Sequence, residues 1–229
     1  MTSTALHIEL LRETRTNSAC QVHDLIASGK ISVSLVEASV QKLQEKDAVS
    51  ISGEQIHVSN AQRLRIAQLA ITDGADPERF ARELRWQEFE AFTNQVLSQD
   101  GYDTKNHLVF KASGQKFEID VIGAKEPLVL CVDCKHWHHG WGPSRIVAAA
   151  KNQLLRVVSL SQVLPVYQQK LPFAGWESAR FLPVVLALAD VSSRLVDGVP
   201  IVPVLRLGSF LAEISPCVES LRFVDVQMG

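Results

Sequence analysis

Cysteine is scarce in this sequence, four in 229 residues, at the irregular positions Cys20, Cys131, Cys134 and Cys217. So thin a set excludes a disulfide-built scaffold, and the thiols are expected to stay reduced, as in a cytoplasmic protein. No apolar run approaches the ~18 residues that a membrane span needs. The longest, residues 181–189, is broken by Pro183, and no membrane partner is expected. The opening stretch, MTSTALHIELLRETRT, carries acidic residues and no compact apolar segment, so it does not read as a secretion signal. Neither sign of charge is in excess: 23 Lys and Arg stand against 25 Asp and Glu, a formal net charge of -2. Coating of nucleic acid through bulk charge is thereby excluded, and any basic surface must be local. There is no Gly-rich phosphate loop, and neither Ser161 nor His107 has the partners of a nucleophilic triad. What remains is an ordinary globular composition, 46% hydrophobic and 21% charged.

The chain is punctuated at TDGADPE, where Gly74 precedes Asp76-Pro77-Glu78, a pattern resembling a helix cap with Pro at the first helical position. This divides it into a module of residues 1–72 and a domain of residues 77–229. In the module, helices are expected over residues 5–12, 18–28 (ended by Gly29) and 32–46. The last has Val33, Val36, Val40 and Leu43 at spacings that give one buried stripe. AVSISGEQIHVS then alternates around Ser52-Gly53-Glu54, a hairpin signal. Three helices and a hairpin is the order of a winged helix, a DNA-binding variant of the helix-turn-helix. Yet residues 1–72 hold seven basic and seven acidic side chains, without the basic footprint of a DNA reader. Duplex binding and a protein-contact or dimerisation role both stay open for it.

Residues 77–229 alternate. A helix is expected over 86–98, strands over 108–111, 116–122 and 128–135, and a long helix over 144–162. Strands follow at 182–189 and 201–207, a short helix at 209–214 and a last strand near 221–226. The fold class is therefore α/β, a mixed central sheet flanked by helices.

The chemistry concentrates in two of these strands. Side chains alternate along a strand, so Glu118 and Asp120 share one face of the first, and Asp133 and Lys135 share one face of the second. With a hairpin turn at Glu126-Pro127, Asp120 falls opposite Asp133, and Glu118 opposite Lys135. Directly opposed Cβ atoms lie about 5 Å apart. Two carboxylates at that distance repel unless a cation sits between them, and a hard divalent ion suits such a place. On this reading Asp133→Asn is expected to stabilise the metal-free protein by ~0.5–1 kcal/mol. The alternative is that both acids are solvated strand residues and Glu118–Lys135 is a surface pair.

An acid, then (Asp/Glu)-x-Lys across a hairpin, preceded by a helix carrying Glu, resembles the PD-(D/E)XK nucleases. Asp120 matches the first acid, with Ile119 where the family name has Pro, and Asp133-Cys134-Lys135 matches the second element. The upstream Trp86-Gln87-Glu88-Phe89-Glu90-Ala91-Phe92 and the later Gly101-Tyr102 look like the opening helix of Mrr-type restriction endonucleases and archaeal Holliday-junction resolvases. CVDCKHW, GWGPS and VPIVPVLRL look like uncharacterised archaeal Mrr-like proteins with an N-terminal winged helix. The resemblance covers residues 77–160 well. It implies a Mg²⁺ (or Mn²⁺) ion held by Asp120, Asp133, the Cys134 carbonyl and Glu90, the last directly or through water. It implies Lys135 as the residue that positions the attacking water, a helper Gln153 or Lys151 on the long helix, DNA as substrate, and a homodimer. Glu90 rather than Glu88 is the helix acid by that resemblance. A rival of another class is a catalytically silent binding protein, like archaeal regulators that act through the TATA-binding protein.

Cys131, Cys134, His136, His138 and His139 have the composition of a zinc site. The two cysteines fall on opposite strand faces, however, and cannot share an ion without a break in the strand. His136, His138 and His139, with Trp137 and Trp141, read either as a rim that contacts phosphate or stacks a base, or as loop packing around Gly140 and Gly142. In the long helix, Ile146, Ala149, Ala150, Leu154, Val157 and Val158 make the apolar stripe, while Arg145, Lys151, Gln153 and Arg156 lie off it.

Overall fold

The structure, a computed structural model, describes residues 2–29, 32–76, 79–80, 82–135, 142–187, 194–214 and 219–228. The expected rim at 136–141 and the Asp76-Pro77-Glu78 cap lie wholly or partly outside the described residues. Contacts divide the chain into two units, Met1–Phe92 and Thr93–Gly229. That division comes later than the breaker at 72–77. Phe80, Leu84, Phe89 and Phe92 are buried, and Glu83 and Glu88 bond to arginines of the first unit.

In the first unit the order is α1 (Thr2–Glu13), β1 (Ala19–Gln21), α2 (Val22–Gly29), α3 (Val33–Glu45), β2 (Ser50–Ser52), β3 (Gln55–His57) and α4 (Asn60–Thr72). The hairpin at Ser52-Gly53-Glu54 is present as β2 and β3, and β1 joins β3 on its other edge, antiparallel. That strand corrects the helix expected from residue 18. Cys20 is buried opposite Ile56, so edge pairing holds 19–21 extended and the helix begins at Val22. The stripe of α3 is Val36, Val40 and Leu43, while Val33 is exposed. Sequence reading passed over α4, although it announces itself: the Ser59 hydroxyl accepts the Gln62 amide and the Gln62 side chain accepts the Ser59 amide, a reciprocal cap.

Buried Arg63 on α4 organises this unit. Its guanidinium donates to Glu88 Oε1 at 2.6 Å, to Thr14 Oγ1 and the Glu83 carbonyl at 2.7 Å, and to the Leu11 carbonyl. Burial holds its pKa below the usual arginine value, and the neighbouring Glu88 opposes that. Glu88 in turn sits in the first turn of α5 (Trp86–Gln99), where Oε2 accepts the Arg85 amide at 2.8 Å.

The second unit is a mixed sheet: β4 (Asp103–Ala112), β5 (Gln115–Lys125), β6 (Leu128–Lys135), β7 (Ser178–Ala187), β8 (Leu195–Val196), β9 (Val199–Pro203) and β10 (Val224–Gln227). Spatially it runs β4-β5-β6-β7-β9-β8, with β10 on β7. The β4–β5 and β5–β6 pairs are antiparallel, and β6–β7 and β7–β9 parallel. A parallel β6–β7 pair needs a crossover, and the chain between them is α6 (Pro143–Tyr167), packed on the sheet, followed by a short 3-10 turn. β6 is buried on both faces through Cys134, as befits a strand with neighbours on each side. The short α7 (Leu207–Glu213) follows β9. Among the described residues, no helix is long and apolar enough to cross a membrane.

Candidate active site

β5 and β6 pair from Lys125↔Leu128 to Val121↔Val132, the register expected from a turn at Glu126-Pro127. One step further along, Asp120 stands across from Asp133. There the ladder has ended, and the Asp120 carboxylate accepts the Cys134 amide instead, at 2.7 Å. The strands part where the acids meet, and a side chain takes up a backbone donor the ladder no longer satisfies.

Asp133 is 2% exposed. A carboxylate that deep requires compensation, and two cations supply it. Lys135, on the same strand face, places Nζ 3.0 Å from Oδ1 and 2.9 Å from Oδ2. Arg156 of α6 donates from Nη1 to Oδ1 at 2.8 Å. Arg156 is itself held by Gln153, whose Oε1 accepts from Nη1 at 3.2 Å. Gln153 is fully buried and donates to the Cys131 carbonyl at 2.7 Å. Residues three apart share a helix face, so α6 presents Gln153 and Arg156 together. Asp133 Oδ2 is buried and takes no directed hydrogen bond; the nearby ammonium is aligned on Oδ1, so its contact with Oδ2 is an ion pair only.

Asp120, Asp133, Cys134 (through its backbone), Lys135 and Gln153 are therefore gathered in one place. Three expectations need correction. Lys135 turns onto Asp133 of its own strand, not onto Glu118, which is exposed and meets His107 Nδ1 at 3.2 Å on β4. Gln153 and Arg156 do not share the solvated face of Arg145 and Lys151, which are exposed, because the buried acid draws them inward. The repulsion anticipated at Asp133 is already relieved by cations. Arg156 is the residue that sequence reading missed, and its signal was the three-residue spacing from Gln153. Glu90, 8% exposed, lies on α5 in the first unit, whereas the cluster belongs to the second. Its neighbour Glu88 is spent on Arg63 and Arg85.

Cys131 and Cys134 are buried free thiols. Cys131 lies in the apolar cluster that includes Val157 and Leu160 of α6, where burial pushes its pKa upward. Among the described residues, no three His, Cys, Asp or Glu side chains converge as metal ligands. The donors here are two carboxylates and a strand carbonyl, all oxygen, with one buried carboxylate oxygen not hydrogen-bonded. That set does not make a closed protein cage. It fits a hard ion that keeps several waters, such as Mg²⁺ or Mn²⁺.

Residues 81–157 match a family described as restriction endonuclease, the Mrr catalytic domain. An uncharacterized protein of Archaeoglobus fulgidus is 30% identical over 132 residues, 57% of this chain and 92% of its own length. The chain belongs to the Mrr-type restriction endonuclease family. The matched stretch of this Mrr-type chain contains α5, β4, β5, β6 and the part of α6 that carries Gln153 and Arg156. Among solved structures, a protein of unknown function, AF1548, aligns with a TM-score of 0.30 and 15% identity, over 43% of this chain and 45% of that one. Protein VC1899 from Vibrio cholerae aligns with a TM-score of 0.40 and 14% identity, over 92% and 49%. The chain spans about half the length of either structure.

Proposed function

We propose that this Mrr-type chain is a Mg²⁺- or Mn²⁺-dependent endodeoxyribonuclease that hydrolyses DNA phosphodiester bonds. The observation that carries the reading is Asp133 and Lys135 on one strand face, with Asp120 across the opened end of the β5–β6 ladder. Asp120, Asp133 and the Cys134 carbonyl, all of the second unit, would hold the ion. The N–H and C=O of one strand residue point to the same side, so the Cys134 carbonyl is directed to the side where its amide meets Asp120. A bound ion of this kind polarises the scissile phosphate and lowers the pKa of its water. Lys135 orients the attacking water, and its ammonium stabilises negative charge that develops on the phosphorus oxygens. Gln153 acts at one remove, by fixing Arg156 against Asp133. The first unit, with its three-stranded sheet and hairpin, serves as a winged helix that selects the DNA or joins two copies. A homodimer is what the resemblance to the resolvases implies, since concerted cutting of both strands takes two sites.

Plasmid nicking in Mg²⁺ tests this. Wild-type cleavage is expected to fall by about 100-fold or more in Asp133→Ala and Lys135→Ala, with both variants still folded by circular dichroism. Cleavage that survives in both overturns the reading. Inert wild-type protein on linear, branched and modified DNA, combined with tight binding to a TATA-binding protein, is the result a silent regulator would give.

A further inference from the structure

Within the second unit, the Asp133 carboxylate holds more positive partners than a metal site can keep. Lys135 and Arg156 both lie within 3.0 Å of it. Asp120, Asp133, Lys135 and Arg156 together sum to zero formal charge. A divalent cation entering such a cluster meets no excess of negative charge, and a guanidinium already holds Oδ1 of the carboxylate it would use. Lys135 has work in the proposed reaction. Arg156 has none there, yet it is the more carefully placed of the two. A fully buried glutamine, tied to the Cys131 carbonyl, accepts from the same Nη1 that meets Asp133. Its side chain keeps 24% exposure, so solvent remains open to it when it leaves Asp133.

We propose that Arg156 is the resident counter-ion of Asp133: it neutralises the acid in the metal-free protein, competes with the divalent ion for it, and is displaced when the ion binds. The proposal rests on the metal-dependent reading above and adds to it a positioning residue that sets metal affinity. The physical ground is short-range electrostatics. A cation 2.8 Å from one oxygen of the Asp133 carboxylate repels a second cation placed on the same carboxylate, and partial burial leaves the repulsion only partly screened. A planar fork pinned by Gln153 is also slower to give way than a loose ammonium. The arrangement keeps a buried acid stable while the site is empty, at the expense of metal affinity.

The test is titration of the full chain with Mn²⁺ alone, followed by calorimetry. Four variants are compared with wild type: Arg156→Gln, Arg156→Met, Arg156→Lys and Asp133→Asn. Arg156→Gln and Arg156→Met are expected to bind Mn²⁺ about three- to tenfold more tightly than wild type, and to melt at a lower temperature without the ion. Arg156→Lys, which keeps the charge, is expected to stay near the wild-type affinity, and Asp133→Asn to lose binding. Use of both neutral variants guards against one of them failing to fold. If wild type binds Mn²⁺ and Asp133→Asn does not, but both neutral variants bind equally or more weakly, the counter-ion role falls while the metal-dependent reading stands. If wild type and the neutral variants all fail to bind at millimolar Mn²⁺, both fall.

Discussion

Inside the second unit Lys135 and Arg156 reach the Asp133 carboxylate from two elements. From strand register alone, its replacement by Asn relieves repulsion and stabilises the protein. With the cations in view the sign reverses. Asparagine keeps the shape and leaves two cations without their anion, so Asp133→Asn is expected to lower metal-free stability by about 1–3 kcal/mol. That is less than for a fully buried pair, since both cations are 24% exposed. Urea denaturation in EDTA reads it, and a variant as stable as wild type would show that the ion pairs contribute nothing net. His7 poses a second residue-scale question. It is 5% exposed on α1, its Nδ1 has no hydrogen-bond partner, and burial pushes its pKa down to about 4. Asp73 opposes that shift, and Lys42 and Lys46 add to it. The folded state therefore holds this imidazole neutral, while the unfolded chain protonates it near 6.5. Its contribution is complete above pH 6.5 and is lost as pH falls towards 4, by about 3 kcal/mol in all at ~1.4 kcal/mol per unit. Denaturation midpoints from pH 7 down to 4.5 should show this decline in wild type and lack that part of it in His7→Leu. Identical pH profiles would clear His7 of the effect.

At the scale of elements, the sequence was most readable where period and punctuation agreed. β6 was delimited to the residue, because an apolar run stands between Pro127 and the polar end at Lys135. The β5–β6 register followed from the turn, and the opposed acids followed from the register. Elements formed by tertiary contact were not readable. β1 has three residues and no pattern of its own; it exists because β3 offers an edge and Cys20 can be buried there. Helix α4 was missed for a different reason. Its interior carries Arg63, which by residue type belongs on a surface, yet is fully buried through four hydrogen-bond partners drawn from α1 and the residue after it, the segment before α5, and α5 itself. A charge that far inside is tolerable only with such partners, and no single-sequence pattern gathers them. The same blindness hid Arg156. In a helix an arginine beside an apolar stripe reads as solvated until an acid on a neighbouring strand is seen to claim it.

At the scale of the whole molecule, charge constrains how this chain can hold DNA. Residues 1–92 carry ten Lys and Arg against thirteen Asp and Glu, and residues 93–229 carry thirteen against twelve. Neither unit has a basic surplus to spread along a duplex. Several of the arginines are also committed internally: Arg63 to Glu88, Arg156 to Asp133 and Arg180 to Asp225. Phosphate contacts must therefore be few and local, made by a small number of exposed lysines and arginines and, on the proposed reading, by Lys135. Each neutralised phosphate releases counterions, and the logarithm of affinity falls with the logarithm of salt at about 0.9 per contact. With roughly two to four contacts per protomer, affinity for a labelled duplex is expected to drop about 10- to 150-fold between about 50 and 200 mM KCl. A broadly basic binder making six to ten contacts loses about 10³–10⁵ over the same range. Fluorescence anisotropy in EDTA measures the slope without cleavage. A steep slope would mean that a basic face is assembled from copies of the chain, and it would move the origin of DNA affinity from the cleavage cluster to the assembly.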